Sequence, residues 1–197
     1  LGLLGCGSLG SKVALHLAKT GCYRFELVDN DYFSSHNNAR HGLIVPDFSS
    51  LCFSKSQLLH RQLSSLNVES KPIDKDIRSM GDKGGFSLNK KTDYVLDTTA
   101  SLSVRYYLSH HCTPLHGRLI QSTLYGKSAM AVVAIEGDSR SVRIDDIAAF
   151  VNTLCIGNER VKEAMYGGDG PRLNHFGEGC GSVTTTMTDT DISLMSA

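Results

Sequence analysis

The chain of 197 residues lacks a net charge, because its 20 lysines and arginines are matched by 20 aspartates and glutamates. Such a balance provides no overall basic field that would hold nucleic acid or an anionic membrane surface. The sequence also lacks an apolar run near the roughly 20 residues that a bilayer span requires, and no signal peptide precedes the first apolar segment. These absences predict a soluble protein without nucleic-acid or membrane partners, whose binding depends on local chemistry.

The six cysteines lack any CxxC pair, which argues against a zinc ribbon. Reduced thiols are the simplest account of so scattered a set, and we therefore expect a cytoplasmic protein. The eight histidines show no metal-ligand spacing either. His36 and His41 flank a polar loop, and His110 and His111 end a predicted helix, where histidine is a common partner of the helix dipole. The pattern indicates no function for the histidines.

Strand-like and helix-like segments alternate along the chain. Strands are predicted at 1–4, 25–28, 68–73, 94–96, 119–122 and 129–135, and helices at 11–19, 55–66, 103–111, 144–154 and 158–165, with a weak helix and loop at 76–91 and a last helix starting at Ile192. This alternation predicts an α/β fold with a Rossmann-like, doubly wound, mostly parallel sheet and additional antiparallel strands.

The length allows one sizeable core, so we expect a single domain over residues 1–197. Glycines, a proline and fading periodicity indicate a crossover region at 138–181 within it. Because residues 1–4 are already strand-like and the last residues stop within a helical pattern, we expect the chain to be a fragment of a longer protein.

A glycine-rich turn joins the first strand to the first helix. The spacing of Gly5, Gly7 and Gly10 allows the backbone to approach a phosphate at a helix N-terminus. Asp29 ends the second strand about 20 residues later, where a carboxylate accepts hydrogen bonds from ribose hydroxyls. The pattern predicts a bound nucleotide, either NAD or ATP; a tight turn without a ligand is the alternative.

Two candidate cations follow Asp29. Arg40 ends the segment Asn37-Asn38-Ala39-Arg40, and Lys55 opens the next helix. An enzyme that forms an acyl-adenylate must stabilise charge at the α-phosphorus, which calls for Arg and Lys side chains from two directions. Solvated surface charge is the alternative for both cations, and Asn37 would then only form a turn.

Over roughly residues 1–135, the chain resembles the ThiF/MoeB and ubiquitin-activating-enzyme superfamily. Four features carry this resemblance in order: the glycine turn, Asp29, the Asn-x-x-Arg loop and Lys55. The resemblance implies an adenylation domain that uses ATP to activate the C-terminal carboxylate of a small protein. It implies that Asp29 holds the ribose, that Asn37 and Lys55 contact phosphates, and that Arg40 reaches into the site of the partner subunit in a homodimer.

The segment from Asp93 to Ala100, which contains Asp97, resembles the same family. Many relatives carry a second acid, which helps to hold magnesium, where this chain has Ala100. The resemblance therefore implies Mg²⁺ beside ATP, with Asp97 at the end of a strand as the substitute metal ligand and cofactor contact. Capping of the following helix is an equally good account of Asp97.

Cys180 is the thiol that we select for covalent chemistry, because Gly179 and Gly181 expose it. Activating enzymes of the family pass the acyl group from AMP to a cysteine, so the resemblance implies a thioester at Cys180. An inert small side chain is the alternative. The tail after Cys180 is similar to the activating domain of fused bacterial conjugation proteins in antiphage operons of the CBASS type, which implies a ubiquitin-like or CBASS nucleotidyltransferase-type partner.

Three functions are compatible with these patterns. The first is ATP-dependent adenylation of a protein carboxylate, followed by thioester transfer, in a ubiquitin-like conjugation or sulfur-carrier pathway. The second is an NAD-dependent oxidoreductase that uses the same glycines and Asp29, although no hydride-transfer constellation is evident. The third is a non-catalytic nucleotide-binding subunit of a dimer, which Ala100 keeps open.

Overall fold

The computed structural model describes residues 1–45, 53–110, 115–126, 129–167 and 187–197. In chain order the elements are β1 (Gly2–Leu4), α1 (Ser8–Lys19), β2 (Arg24–Val28), α2 (Lys55–Ser65), β3 (Glu69–Ile73), β4 (Tyr94–Asp97), α3 (Leu102–His110), β5 (Arg118–Tyr125), β6 (Met130–Ile135), α4 (Ile144–Gly157), α5 (Glu159–Tyr166) and α6 (Asp189–Ser196). Short 3-10 turns occur at Ser35–Ala39 and Ile77–Ser79. None of the helices in these ranges has both the length and the apolar character of a membrane span.

The six strands form one sheet in the order β3-β2-β1-β4-β5-β6. Strands β1 to β5 are parallel, and β6 runs antiparallel to β5. The predicted fold class is therefore confirmed. Chain order reverses between β1 and β4, and in such sheets ligands bind in the crevice beyond the carboxyl ends of the strands at this reversal point.

Both faces of the sheet are covered by helices, with β1 at the centre. Leu3 points to the face that packs against α1 and α2, and Leu4 points to the face that packs against α3 and α4. Both leucines are fully buried, and burial of such a side chain contributes about 1.5–3 kcal/mol. Burial on two faces explains why the central strands β1 and β4 are nearly continuous buried runs, whereas the edge strand β3 alternates in burial.

Several boundaries differ from the predicted ones for local reasons. Helix α1 begins at Ser8 rather than at residue 11, because Gly7 already adopts the extended conformation of an N-cap. Strand β5 continues to Tyr125, which pairs with Met130 of β6. Helix α6 begins at Asp189 rather than at residue 192, because the side chain of Thr188 caps it by accepting the N–H of Asp191.

The weak helix predicted within 76–91 is wrong. This segment contains only the 3-10 turn Ile77–Ser79 among its regular elements. Gly81 and Gly84 adopt positive φ angles of 86° and 84°, and the N–H of Gly81 bonds to the carbonyl of Phe86 at 2.8 Å. Glycines in left-handed conformations end helical geometry, which explains why the apolar spacing did not produce a helix.

Candidate nucleotide site

A cleft of about 410 Å³ opens at the reversal point of the sheet, beyond the carboxyl ends of β1, β2 and β4. Five residues predicted for the nucleotide site line this cleft: Gly5, Gly7, Asp29, Arg40 and Lys55. The other three predicted positions on described residues, Gly10, Asn37 and Asp97, are buried and are not part of the described lining. The cleft thus brings most of the predicted nucleotide residues together.

The glycine turn between β1 and α1 is shaped for close approach by a ligand. Gly5 has a φ of 89°, and a Cβ atom there would lie 2.9 Å from the side chain of Thr99. A Cβ on Gly10 would overlap the carbonyl oxygen of Gly5 and lie 2.5 Å from Thr98 Oγ1, so Gly10 permits the helix to pack against the strand. The first N–H groups of α1 have no acceptor within the helix, and these donors together with the helix dipole suit a phosphate.

Asp29 ends β2 and is fixed by backbone donors on both of its oxygens. The N–H of Cys6 donates to Oδ2 at 2.6 Å, and the N–H of Asp31 donates to Oδ1 at 2.8 Å. Burial raises the pKa of this carboxyl, against the lowering effect of these hydrogen bonds. Two carboxylate oxygens offer about four lone-pair sites, so acceptors are left for ribose hydroxyls.

The two predicted cations line the cleft but differ in burial and in ion pairing. Lys55 is buried, and its Nζ lies 2.8 Å from Asp31 Oδ2. Arg40 is half-buried and forms no ion pair with any residue that the structure describes. The guanidinium of Arg40 is therefore available to an anion in the cleft, whereas a phosphate near Lys55 would share that ammonium with Asp31.

Asn37 shapes the loop that carries Arg40. Its Oδ1 accepts the N–H of Ser34 at 2.8 Å, and its carbonyl accepts the N–H groups of Arg40 and His41. These contacts match the alternative in which Asn37 forms a turn. The predicted phosphate contact of Asn37 stays a prediction.

His41 connects the Arg40 loop to the glycine turn, a contact that the histidine pattern did not indicate. Its Nδ1 accepts the N–H of Leu43 at 3.2 Å, so Nε2 carries the proton and donates to the carbonyl of Cys6 at 2.7 Å. The ring also packs edge-on against Phe33. Burial lowers the pKa of His41 to about 4, which keeps it neutral near pH 7. No sequence signal could identify this pair, because its members lie 35 positions apart.

Arg78 is a further cleft-lining cation that the motifs did not identify. It follows β3, and its guanidinium contacts both carboxylate oxygens of Asp76, with Nη2 at 2.6 Å from Oδ2. Hydrogen bonds from Arg78 lower the pKa of Asp76. Its position beyond the carboxyl end of a parallel strand was the signal that could have identified it.

Asp97 lies beneath the cleft rather than in it. Its Oδ1 accepts the N–H and the hydroxyl of Thr99 at 2.9 and 2.7 Å, and its Oδ2 accepts Gln121 Nε2 at 2.8 Å. Burial raises the pKa of this carboxyl. With three protein donors on a fully buried group, Asp97 does not fit a magnesium ligand, and the described residues contain no cluster of metal-binding side chains.

The loop after Asp97 explains what this carboxylate does. Capping of α3 by Asp97 is wrong, because it is the hydroxyl of Ser101 that accepts the N–H of Val104 in the first turn. Asp97 instead fixes the start of the loop, which continues through Ala100 with a φ of 55°. Its predicted contact with the cofactor stays a prediction.

Cys180 lies outside the described residues, as do Cys52 and Cys112. The thioester role of Cys180 therefore stays a prediction. Of the described thiols, Cys6 is fully buried in the glycine turn, and burial raises its pKa well above the ordinary value. A thiol in this state is a poor nucleophile, so Cys6 acts by packing.

Comparisons with known proteins identify the family of this chain. Residues 1–160 match the ThiF family. The chain is 30% identical over 111 residues to the adenylyltransferase and sulfurtransferase UBA4 of Vanderwaltozyma polyspora, covering 54% of this chain and 24% of that protein. It is 31% identical over 109 residues to the ATP-dependent ubiquitin transferase-like protein Cap2 of Vibrio cholerae, covering 50% of this chain and 17% of that protein.

Among solved structures, the crystal structure of E. coli MccB with ATP superposes with a TM-score of 0.60 at 17% identity, covering 99% of this chain and 52% of that one. This likeness concerns the fold. The chain spans about a quarter or less of the curated relatives described above. Because the family match extends over most of the sequence, the chain belongs to the ThiF family.

Proposed function

We propose that this chain is the ATP-binding adenylation domain of an enzyme that activates the C-terminal carboxylate of a small protein or peptide. One observation carries the proposal: the glycine turn, the ribose-type carboxylate of Asp29 and the cations Arg40 and Lys55 line a single cleft. Membership of the ThiF family and the adenylyltransferase name of UBA4 support the reaction class. The MccB structure with ATP supports the nucleotide.

The chemistry assigns one task to each part of the cleft. The amides at the start of α1 bind phosphate, and Asp29 accepts the ribose hydroxyls. A carboxylate oxygen of the partner attacks the α-phosphorus, and the bond to the β-phosphate oxygen breaks. The products are an acyl-adenylate and pyrophosphate. Arg40 and Lys55 stabilise the negative charge that develops on the α-phosphate oxygens.

Magnesium is proposed only as the counter-ion that accompanies the ATP phosphates, where it would neutralise charge on the departing pyrophosphate. The engaged oxygens of Asp97 give no reason to assign that carboxylate to the ion. Every other step above uses the side chains and amides of the cleft alone.

The partner that we propose is a small protein or peptide with a free carboxyl terminus, in a ubiquitin-like conjugation or sulfur-carrier pathway. The names of Cap2 and UBA4 support these two pathways, and MccB has been solved with MccA. A role in antiviral defence of the CBASS type, which the resemblance of the tail implies, is part of the proposal. A cytoplasmic location and a homodimer complete the proposal.

ATP–pyrophosphate exchange tests the assignment of the cations. With ubiquitin-like and sulfur-carrier proteins as candidate partners, we expect partner-dependent exchange. Arg40→Ala and Lys55→Ala should each lower its rate by about 10²–10³, because each removes a contact to the transition-state charge. Lys91→Ala, which changes an exposed lysine away from the cleft, is the matched control and should keep the wild-type rate. Undiminished exchange in both cleft variants would refute the assignment.

Thioester transfer to Cys180 is tested separately. In the presence of ATP and an active partner, we expect a covalent adduct that a reducing thiol removes and that Cys180→Ser abolishes. Cys22→Ser, at a partly exposed thiol, is the control and should leave the adduct intact. A thiol-sensitive adduct that survives in Cys180→Ser would assign the chemistry to another cysteine.

A non-catalytic nucleotide-binding subunit is the second candidate, because Ala100 lines the cleft where the resemblance implies an acid, and Asp97, the predicted substitute, is not part of the described lining. Retained ATP binding without exchange for any partner would favour this candidate. A competition experiment between ATP and NAD tests the third candidate, an NAD-dependent oxidoreductase. Tighter binding of ATP than of NAD would exclude it.

A further inference from the structure

Helix α6 is attached to α1 by one buried lysine. Lys12, in the second turn of α1, places its Nζ 2.7 Å from Asp189 Oδ1 and 2.9 Å from Ser193 Oγ. The Lys12 side chain is only 10% exposed, whereas that of Asp189 is 52% exposed. The contact therefore joins a buried ammonium near the start of the chain to the first and second turns of the last helix.

The start of α6 is built to hold a negative charge. The side chain of Thr188 accepts the N–H of Asp191, and the carboxylate of Asp191 accepts the N–H of Thr188, which together form a capping box. Asp189 lies in this first turn, where the helix dipole favours a carboxylate. The partner of Lys12 thus lies in the first turn of a capped helix.

The inner side of α6 forms part of the cleft wall. Ile192 is 4% exposed and lines the cleft, together with Met187 just before the helix. Leu9, one turn before Lys12 on α1, lines the same cleft. The ion pair therefore fixes α6 beside the helix whose N-terminus forms the glycine turn.

A buried ammonium is costly unless it is paired, so an apolar side chain would serve simple packing between α1 and α6 better than Lys12 does. We infer that Lys12 is a positioning residue: through Asp189 and Ser193 it holds α6 as one wall of the cleft, and it thereby slows the release of bound nucleotide. This inference rests on the proposed function, because it requires a nucleotide in the cleft.

A double-mutant cycle on the intact chain tests the inference. Lys12→Met removes the charge but keeps the aliphatic stem, and Asp189→Asn removes the partner charge from an exposed site. The probe is N-methylanthraniloyl-ATP, whose release is followed by fluorescence after addition of excess ATP. Hydrogen exchange of the α6 amides, measured without nucleotide, reports on the attachment itself. Lys19→Met, at an exposed lysine of the same helix, is the matched control.

We expect each single variant to release the probe about two- to fivefold faster and to exchange its α6 amides faster, with the double variant no worse than the more affected single one. The control should match the wild type. Wild-type release in both single variants, effects that multiply in the double variant, or a lowered thermal midpoint with unchanged release would each overturn the inference. A wild-type chain that binds no ATP would instead overturn the proposed function, and the role of α6 with it.

Discussion

The imidazole of His41 carries its single proton on Nε2 and thereby links the glycine turn to the loop of Arg40. Protonation of Nδ1 would place two donors against each other, since the N–H of Leu43 already points at that nitrogen. Together with burial, this explains why the neutral form is the stable one in the folded chain. Folding and proton binding are therefore coupled at His41.

The coupling predicts a stability that depends on pH. The folded-state pKa of His41 is lowered to about 4 from an ordinary value near 6.5, so the unfolded chain binds more protons between these values. Stability is thus complete above about pH 6.5 and falls as the pH drops towards 4. We expect His41 to account for about 2 kcal/mol of lost unfolding free energy between pH 7.5 and pH 5, measured by urea denaturation.

The difference between wild type and His41→Asn isolates the contribution of His41 to the unfolding free energy, because all other groups titrate in both proteins. An asparagine keeps one donor and one acceptor but does not titrate in this range. The pH-dependent loss should therefore shrink in His41→Asn and stay unchanged in His16→Asn, which alters an exposed histidine on α1. Equal losses in wild type and His41→Asn would contradict the prediction.

At the scale of residues, the sequence predicted those cleft residues whose positions follow from local spacing. Gly5, Gly7 and Asp29 follow from the order of strand, turn, helix and strand, and Lys55 from the start of a helix. His41 and Lys12 could not be predicted, because their partners are 35 and at least 177 positions away in the chain and only tertiary packing brings them together.

At the scale of elements, the packing of α1 against β1 depends on Gly10. A methyl group there would overlap the backbone carbonyl of Gly5 and crowd Thr98. Because neither the backbone nor the neighbouring strand can move away without loss of other contacts, we expect Gly10→Ala to lower the free energy of unfolding by about 1–3 kcal/mol or more. Chemical denaturation measures this change.

Gly137→Ala is the matched control, because a Cβ at Gly137 meets no atom within 4 Å and its φ is not left-handed. Its unfolding free energy should change by no more than about 0.5 kcal/mol. Equal effects at the two glycines would show that loss of glycine itself, rather than the helix–strand contact, determines the result.

The central strands β1 and β4 were predictable because burial on both sheet faces leaves short apolar runs that are bounded by turns. The ends of the strands and helices were harder to predict from the sequence. Helix α1 gains a turn from backbone geometry at Gly7, and β5 gains residues from pairing with β6, neither of which a periodicity in the sequence contains. The failed helix after Asp76 has the same origin, since the conformations of Gly81 and Gly84 override the local apolar spacing.

For the whole molecule, the position of Arg40 bears on the expected homodimer. The resemblance implied that this arginine serves the site of a partner subunit, yet Arg40 lines the cleft of its own chain together with Lys55. We therefore expect both cations to act within one chain. Mixing the Arg40→Ala and Lys55→Ala proteins should then restore no ATP–pyrophosphate exchange, because every cleft still lacks one cation.

The opposite arrangement gives a measurable difference. If Arg40 acted across a dimer, mixed dimers would contain one cleft with both cations, and a random mixture would recover about a quarter of the wild-type activity. A mixture of each variant with wild-type chain, at the same total concentration, controls for subunit exchange. Recovery of about a quarter of the activity would show that Arg40 serves the site of the partner subunit, as the resemblance implied.

The wall of the cleft is assembled from segments that lie far apart in the chain, from Gly5 after β1 to Ile192 in α6. No short stretch of sequence can reproduce this surface, so occupancy requires the complete fold. A ligand that binds there stabilises the folded state by RT ln(1 + [L]/Kd), provided that it ignores the unfolded chain. Heat resistance as a function of added nucleotide thus reports on occupancy before any protein substrate has been identified.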